Sequence, residues 1–265
     1  MEYPIVNNFL KKLFNIEGKV AAITGGGGYI CGEMARGLAK CGCKIAVMDI
    51  REEKSLTVVD QIRNNIGGEA ESIKLDATDK NSFFAALEKT VSVYGKVDVL
   101  INGAGINSPT PFFDIEIEEF HSIINSQLTS TFFGCQVFGE YMISQKKGSI
   151  INISSASAGP PLSKAFSYSI AKSGIVNLTQ NLGREWGQTG VRVNAIRPGF
   201  FPTEWNQKNF ITEEREAAIL GHTPMARFGK VEELVGATVY LSSDAASFVT
   251  GSEISVDGGF SCMTI

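Results

Sequence analysis

Tyr168 and Lys172 stand four residues apart in the stretch Y-S-I-A-K, a spacing that a helix turns onto one face. Ser155 lies thirteen residues before Tyr168, just past the apolar run I-I-N-I. A phenol with a free pKa near 10 is a poor base at neutral pH. A neighbouring ammonium favours the phenolate and draws that pKa toward the working range, and a serine hydroxyl can hold a carbonyl or alkoxide oxygen. Together the three residue types fit proton transfer at an oxygen while a hydride moves. Alone, a Y-x-x-x-K is more often an amphipathic helix with a solvated lysine, so the set needs support elsewhere in the chain.

That support begins at I-T-G-G-G-G-Y-I-C-G-E-M-A, residues 23–35, directly after Val20-Ala21-Ala22. A helix amino terminus offers free N–H groups and a partial positive charge, and glycines let a phosphate approach the backbone. Gly25 through Gly28 and Gly32 supply that room, although G-x-G-x-x-G fits in no register. Asp49 ends the run K-I-A-V-M-D, 24 residues after Gly25, near where a carboxylate would accept hydrogen bonds from an adenosine ribose. The plain alternative is a glycine-rich turn and a solvated aspartate.

The elements that must position these groups alternate along the chain. Apolar runs at 19–24, 44–49, 71–75, 97–101, 148–153, 191–196 and 253–256 read as strands. Amphipathic segments near 30–41, 52–66, 80–94, 116–144, 164–188, 212–220 and 231–242 read as helices. Several strands are nearly continuous Val, Ile, Leu and Ala, as expected where both faces of a parallel sheet are covered. Seven strands separated by helices make a doubly wound α/β sheet, with helices on both faces. No repeat or linker-like shift in composition divides residues 1–265, so one domain is expected, with an irregular excursion at 198–225 rich in Pro and Gly.

Composition sets further bounds. A chain of 265 residues that is 43% hydrophobic and 20% charged can bury a large core. Its net charge of −4 argues against nucleic acid as a partner. No apolar run reaches the roughly 18 residues of a membrane span. The N-terminal F-L-K-K-L-F reads as a short amphipathic turn on the surface, not as a targeting signal. Five cysteines without a C-x-x-C, beside only two histidines, fit free thiols in a reducing cytoplasm better than a disulfide framework or a metal site.

Taken in order, Thr24-Gly25, L-D-A-T-D with Asp76, I-N-G-A-G at 101–105, N-I-S-S ending at Ser155, Y-S-I-A-K, I-R-P-G-F at 196–200 and V-D-G-G at 256–259 resemble the short-chain dehydrogenase/reductase family. The likeness covers about Gly18 to Gly259. It implies a Rossmann-type fold, NAD or NADP as cofactor, and a homotetramer or homodimer acting on a small molecule. It assigns Tyr168 as acid/base, Lys172 as its partner and a ribose contact, and Ser155 as the holder of the substrate oxygen. Gly25, Gly28, Tyr29 and Ile30 would meet the pyrophosphate, Asp76 and Ala77 the adenine. Asn102, Ala104 and Gly105 would flank the cofactor channel, and Pro198, Gly199 and Thr203 would border the nicotinamide. Asp49 in the ribose position favours NAD because a carboxylate repels a 2′-phosphate, a repulsion that Arg51 partly offsets.

The chain departs from the family pattern at three points. The last two glycines of T-G-x-x-x-G-x-G are Tyr29 and Cys31, and the second Asn of N-N-A-G is Gly103. The fourth catalytic position, where the family has an Asn that holds a kink and a relay water, aligns with Gln127, with Asn125 as a rival two residues away. Within the family the segments G-G-G-G-Y-I-C, R-P-G-F-F-P-T-E and H-T-P-M-A-R-F-G resemble the sugar-acid and polyol branch, D-mannonate oxidoreductases and gluconate 5-dehydrogenase-like enzymes, although the insertion common in mannonate enzymes after I-N-G-A-G is missing. Asn107, Ser157, Lys164, Trp205, Asn206 and His222 form a polar set suited to a hydroxylated substrate; Phe112, Phe113, Phe200 and Phe201 are expected to pack. A 3-oxoacyl-type reductase and a non-catalytic NAD(P)-binding sensor are the alternatives.

Overall fold

The computed structural model describes residues 4–203 and 211–264. Seven parallel strands form one sheet in the order β3-β2-β1-β4-β5-β6-β7. They are β1 (Val20–Thr24), β2 (Lys44–Asp49), β3 (Ala70–Lys74), β4 (Val99–Asn102), β5 (Gly148–Ile153), β6 (Val191–Pro198) and β7 (Glu253–Val256). Every residue of β1 and β4 is buried. That burial explains their unbroken apolar character, since a strand covered on both faces has no solvent side to make polar.

Helices cover the two faces with separate cores. On one face, α2 (Tyr29–Lys40) contributes Met34 and Leu38 to a cluster with Ile23, Val47 and Ile101. On the other, α4 (Lys80–Tyr94) and α6 (Ser130–Ser144) bring Phe83, Phe138 and Met142 against Ala46, Leu100 and Ile150. The strand order reverses between β1 and β4, which opens a crevice beyond their carboxyl ends. Both chemically suggestive groups of the sequence fall at this edge, because the glycine loop follows β1 and Ser155 follows β5.

Three segments differ from their sequence reading. The span 116–144 is two helices, α5 (Ile117–Ile124) and α6, joined by a π-helical turn at Asn125–Thr129. The segment 52–66 likewise passes from α3 (Glu52–Gln61) into a π turn, Ile62–Ile66, which Gly67 stops in the left-handed region at φ 73°. F-L-K-K-L-F belongs largely to a ten-residue helix, α1 (Pro4–Leu13), not to a short turn. Amphipathic periodicity finds such segments but cannot register an i→i+5 bond, which carries no side-chain signature.

Candidate active site

The catalytic candidates meet where β5 ends. Ser155 leaves the strand with extended backbone and caps a short 3₁₀ turn, Ala156–Ala158. Its Oγ accepts from the Ser157 N–H at 3.2 Å and from the Ser157 hydroxyl at 3.1 Å, so buried Ser157 orients it. The twenty-residue α7 (Phe166–Glu185) carries Tyr168 and Lys172 one turn apart. Lys172 is only 3% exposed, and its Nζ donates to the Ile153 carbonyl at 2.6 Å, tying α7 to the end of β5. The same Nζ lies 5.4 Å from the centroid of the Tyr168 ring.

Electrostatics here run against the first expectation. Burial raises the Tyr168 phenol above its ordinary value, with the hydrogen bond to Ser155 pulling the other way. Burial also pushes Lys172 down to about 8, partly opposed by the nearby Cys31 thiol. The ammonium therefore does not bring the phenol toward neutrality in this state. It points at the Ile153 carbonyl and sits against the face of the ring, whereas desolvation of a phenolate acts directly on the oxygen. At neutral pH Tyr168 holds its proton.

Between the two candidates for the fourth position the geometry separates Gln127 from Asn125. Gln127 is buried, and its Nε2 donates to the Ile106 carbonyl at 2.9 Å. The Ile106 N–H in turn donates to Ser126 Oγ at 3.3 Å, so the π turn holds one residue of the loop after β4 by both its N–H and its carbonyl. Gly105 makes the close approach feasible: at φ 155° a side chain would be strained, and its Cβ would lie 2.2 Å from Gln127 Cδ. The Gln127 carbonyl already accepts the hydroxyls of Thr131 at 2.8 Å and Ser130 at 3.1 Å. Asn125 is exposed and lines the neighbouring cleft.

That cleft, about 750 Å³, runs along the crevice from the glycine loop to the π turn. Gly25 needs its missing side chain, since φ is 65° and a Cβ would sit 2.9 Å from the Ala104 backbone. Thr24 fixes that closeness by accepting the N–H groups of Gly103 and Ala104 at 3.1 and 3.2 Å. Gly28 precedes α2 with no side-chain cap, and the first turn contains no acidic residue. An uncapped helix start behind a glycine rim suits an anion such as a pyrophosphate. Tyr29 and Ile30 open that helix, with Tyr29 largely exposed.

At the far end Asp49 is 4% exposed and already organises the loop, accepting from the Gly27 N–H at 3.1 Å and the Arg51 N–H at 3.0 Å. A carboxylate has acceptor sites left for ribose hydroxyls, so the lining fits a dinucleotide. The Arg51 guanidinium stands 3.5 Å from it and is half exposed. Asp76 and Ala77 also face the cleft. The hydroxyl of Thr78 and then its N–H hold the Asp76 carboxyl below its usual value.

Other expected site residues are placed differently. Asn102 turns its side chain into the interior, donating to Asn152 Oδ1 at 3.0 Å, while Gly103, Ala104 and Gly105 form the rim. Pro198 is buried, and Gly199 lies against Asp257, where a Cβ would meet its Cα at 2.6 Å. Thr203 is partly buried beyond them. Asn107 and Lys164 are exposed loop residues, and Lys164 has a left-handed backbone at φ 56°. His222 stacks edge-on against Phe260 at 4.8 Å. Trp205 and Asn206 lie outside the described residues.

Phe112 and Phe113 are corrected from packing residues to surface ones, 60% and 97% exposed, with Phe112 at 5.1 Å from Phe166. Phe201 does pack, against the core on the α2 face, and Phe200 meets Phe260. Residues missed from sequence are Ser126, Ser122 and Ile50 in the cleft lining, together with the Ile153 carbonyl. The three cleft residues belong to no motif, and Ile153 stands within N-I-S-S with nothing there to mark its carbonyl. Only the hydroxyl of Ser126, next to the amide of Gln127, offered a signal. Among the described residues no three His, Cys, Asp or Glu side chains gather to hold a metal, and no helix is long and apolar enough to cross a membrane.

Comparison with known proteins identifies the family. A family model described as enoyl-(acyl carrier protein) reductase matches residues 29–261. The "uncharacterized oxidoreductase UxuB" of Bacillus subtilis (strain 168) is 39% identical across 93% of this chain and 96% of its own length. Gluconate 5-dehydrogenase of Gluconobacter oxydans (strain 621H) is 33% identical, covering 93% and 96%. The crystal structure of a gluconate 5-dehydrogenase from Burkholderia cenocepacia J2315 in complex with NADP and tartrate superposes with a TM-score of 0.91 at 31% identity, over 96% of this chain and all of that one. The chain belongs to the short-chain dehydrogenase/reductase family and is an oxidoreductase acting on CH–OH groups, on the sugar-acid side of that family. Its cofactor class is NAD(P), in keeping with the glycine-rimmed cleft.

Proposed function

We propose that the chain interconverts a secondary alcohol and a ketone on a small polyhydroxylated substrate, a sugar acid, keto sugar or polyol, with NAD as the preferred cofactor. The observation that carries the reading is the Ser155–Tyr168–Lys172 set, anchored by the Lys172 bond to the Ile153 carbonyl at the end of the sheet where the dinucleotide-sized cleft opens. Gly25 and Gly28 leave room for the pyrophosphate, the uncapped first N–H groups of Tyr29 and Ile30 would hold it, and Asp49 would hold the adenosine ribose. Asp76 and Ala77 lie at the adenine, and Asn102, Ala104 and Gly105 support the channel floor. Pro198, Gly199 and Thr203 border the nicotinamide, with Lys172 on its ribose. Bound NAD(H) supplies or accepts the hydride.

The side chains manage the oxygen and its proton. Ser155, oriented by Ser157, hydrogen-bonds the substrate oxygen. Tyr168, protonated at neutral pH, donates to the carbonyl oxygen in the direction of reduction and recovers the proton in oxidation. Lys172 stabilises the phenolate left behind. Gln127 acts on the loop after β4, holding Ile106 in place. Asn107, Ser157, Lys164 and Trp205 are assigned to the substrate side. Asp49 repels a 2′-phosphate and Arg51 softens that repulsion, so NADP is a weaker cofactor. The working unit is one cytoplasmic catalytic domain assembled as a homotetramer or homodimer.

A second reading, a 3-oxoacyl-type reductase, draws on the exposed Phe112, Phe113 and Phe166 beside α7, which would suit an apolar chain. NADH oxidation against a panel of keto sugars, keto sugar acids and a short β-ketoacyl thioester decides between them, with a keto sugar acid expected to win. Tyr168→Phe should lose about 10³-fold in turnover while keeping its NADH affinity. Wild-type turnover in that variant on the best substrate removes Tyr168 from the acid/base role.

A further inference from the structure

Two of the chain's own substitutions touch. Cys31 belongs to the first turn of α2, and Gly103 follows β4. A Cβ built on Gly103 would lie 2.2 Å from Cys31 Sγ, 3.2 Å from Ile153 Cγ1 and 3.4 Å from the Thr24 carbonyl oxygen. Gly103 has none of the positive φ that makes Gly25 or Gly105 irreplaceable on conformational grounds. Its backbone would accept any residue, and what forbids a side chain there is the thiol.

The space so filled lies at the centre of the site. Ile153, whose Cγ1 borders the same space over Gly103, is the residue whose carbonyl receives the Lys172 ammonium. Cys31 is 4% exposed and close enough to Lys172 for each to bias the other's ionisation. Burial pushes the thiol up to about 12, so it is neutral and a poor nucleophile. Sulfur serves here as volume. Its removal would leave a space beside the segment whose carbonyl holds the ammonium, and a void of more than about 10–15 Å³ with polar partners can hold a water.

We infer that Cys31 is a positioning residue for Lys172, its thiol plugging the gap over Gly103 and holding the Ile153 segment against which the ammonium is set. The inference rests on the reading of Lys172 as partner of Tyr168. It makes positions 31 and 103 one packing unit, in which the sulfur of one stands where a side chain of the other would begin.

The test is a double-mutant cycle with Cys31→Ala and Gly103→Ala, read on the NADH dissociation constant by fluorescence titration after circular dichroism and a thermal melt. Gly103→Ala alone should weaken NADH binding about tenfold or more, because the new carbon collides with the sulfur. Cys31→Ala/Gly103→Ala should recover most of that loss, since one carbon replaces one sulfur in the same space. Cys31→Ala alone should also shift the alkaline fall of NADH affinity by roughly half a unit or more, upward where water reaching the ammonium outweighs the loss of the thiol's own raising influence and downward where it does not. A double variant whose loss is the product of the two single losses overturns the packing unit. An unmoved alkaline limb in Cys31→Ala overturns the positioning of Lys172. If Gly103→Ala fails to fold, recovery of folding in the double variant reads the same coupling. None of these measurements requires a substrate, so loss of the Tyr168 assignment and loss of this inference are separable.

Discussion

The cleft beside the glycine loop and the side-chain set at the end of β5 are built by opposite means. Behind the glycine rim the groups open to a ligand are the first backbone N–H groups of α2, at Tyr29 and Ile30, since those of Gly26, Gly27 and Gly28 already donate to the Met48 carbonyl, Asp49 and the Gly25 carbonyl. Around β5 and α7 the proposed working groups are side chains, and one of them, Lys172, is a buried charge tied to one carbonyl. A backbone cradle tolerates varied residues as long as the turn survives. A buried ammonium does not, because its partners and the dryness around it set its ionisation. This explains how a glycine loop with departures at Tyr29 and Cys31 coexists with an unaltered Ser155, Tyr168 and Lys172.

The contrast can be broken from the catalytic side first. Lys172→Met should lower turnover by at least about 100-fold. It should also stabilise the fold. Because the folded value near 8 lies below the ordinary 10.5, the unfolded chain binds that proton more tightly. The resulting cost, about 3 kcal/mol, is full below pH 8 and fades as pH rises from 8 toward 10.5. Denaturant unfolding should therefore show Lys172→Met more stable than the native chain by roughly 1–3 kcal/mol at pH 7, after loss of the bond to Ile153, with the gain shrinking by pH 10.5. A variant less stable at pH 7 contradicts a costly buried charge.

Smaller effects belong to the nucleotide end. Asp49→Asn should shift the ratio of NAD to NADP efficiency toward NADP by about tenfold, through loss of one negative charge beside Arg51. An unchanged ratio would mean that Asp49 serves only to order the glycine loop through Gly27. Smallest of all, Tyr29→Gly should alter the NADH dissociation constant by less than about threefold, since the backbone does the holding. A tenfold change would make the exposed Tyr29 ring a ligand contact and weaken the contrast.

Much of this was legible in the sequence, for identifiable reasons. Continuous apolar strands announce a covered parallel sheet, and the four-residue interval from Tyr168 to Lys172 can be counted without coordinates. What escaped depends on contacts between distant segments or on burial. Cys31 and Gly103 look like two unrelated departures until the thiol is seen over the glycine. The lysine beside Tyr168 implied a lowered phenol pKa, but desolvation of the oxygen outweighs it. Phe112 and Phe113 were expected to pack because they are apolar, yet apolar residues make up much of any protein surface. Gln127 could be aligned from the sequence, but its grip on Ile106 together with Ser126 depends on the π turn, whose bonding pattern no residue type spells out.

That turn at Asn125–Thr129 has a consequence for how the site can be altered. Each residue advances a regular helix by about 100°. A deletion within α6 would therefore swing Phe138 and Met142 away from the sheet they fill. A deletion inside the π turn returns the ladder to ordinary α spacing and leaves both flanking helices facing their present neighbours. The bend that grips Ile106 is in this sense a one-residue insertion laid over a complete helical scaffold: the chain shortened there keeps its architecture and gives up only its hold on the loop.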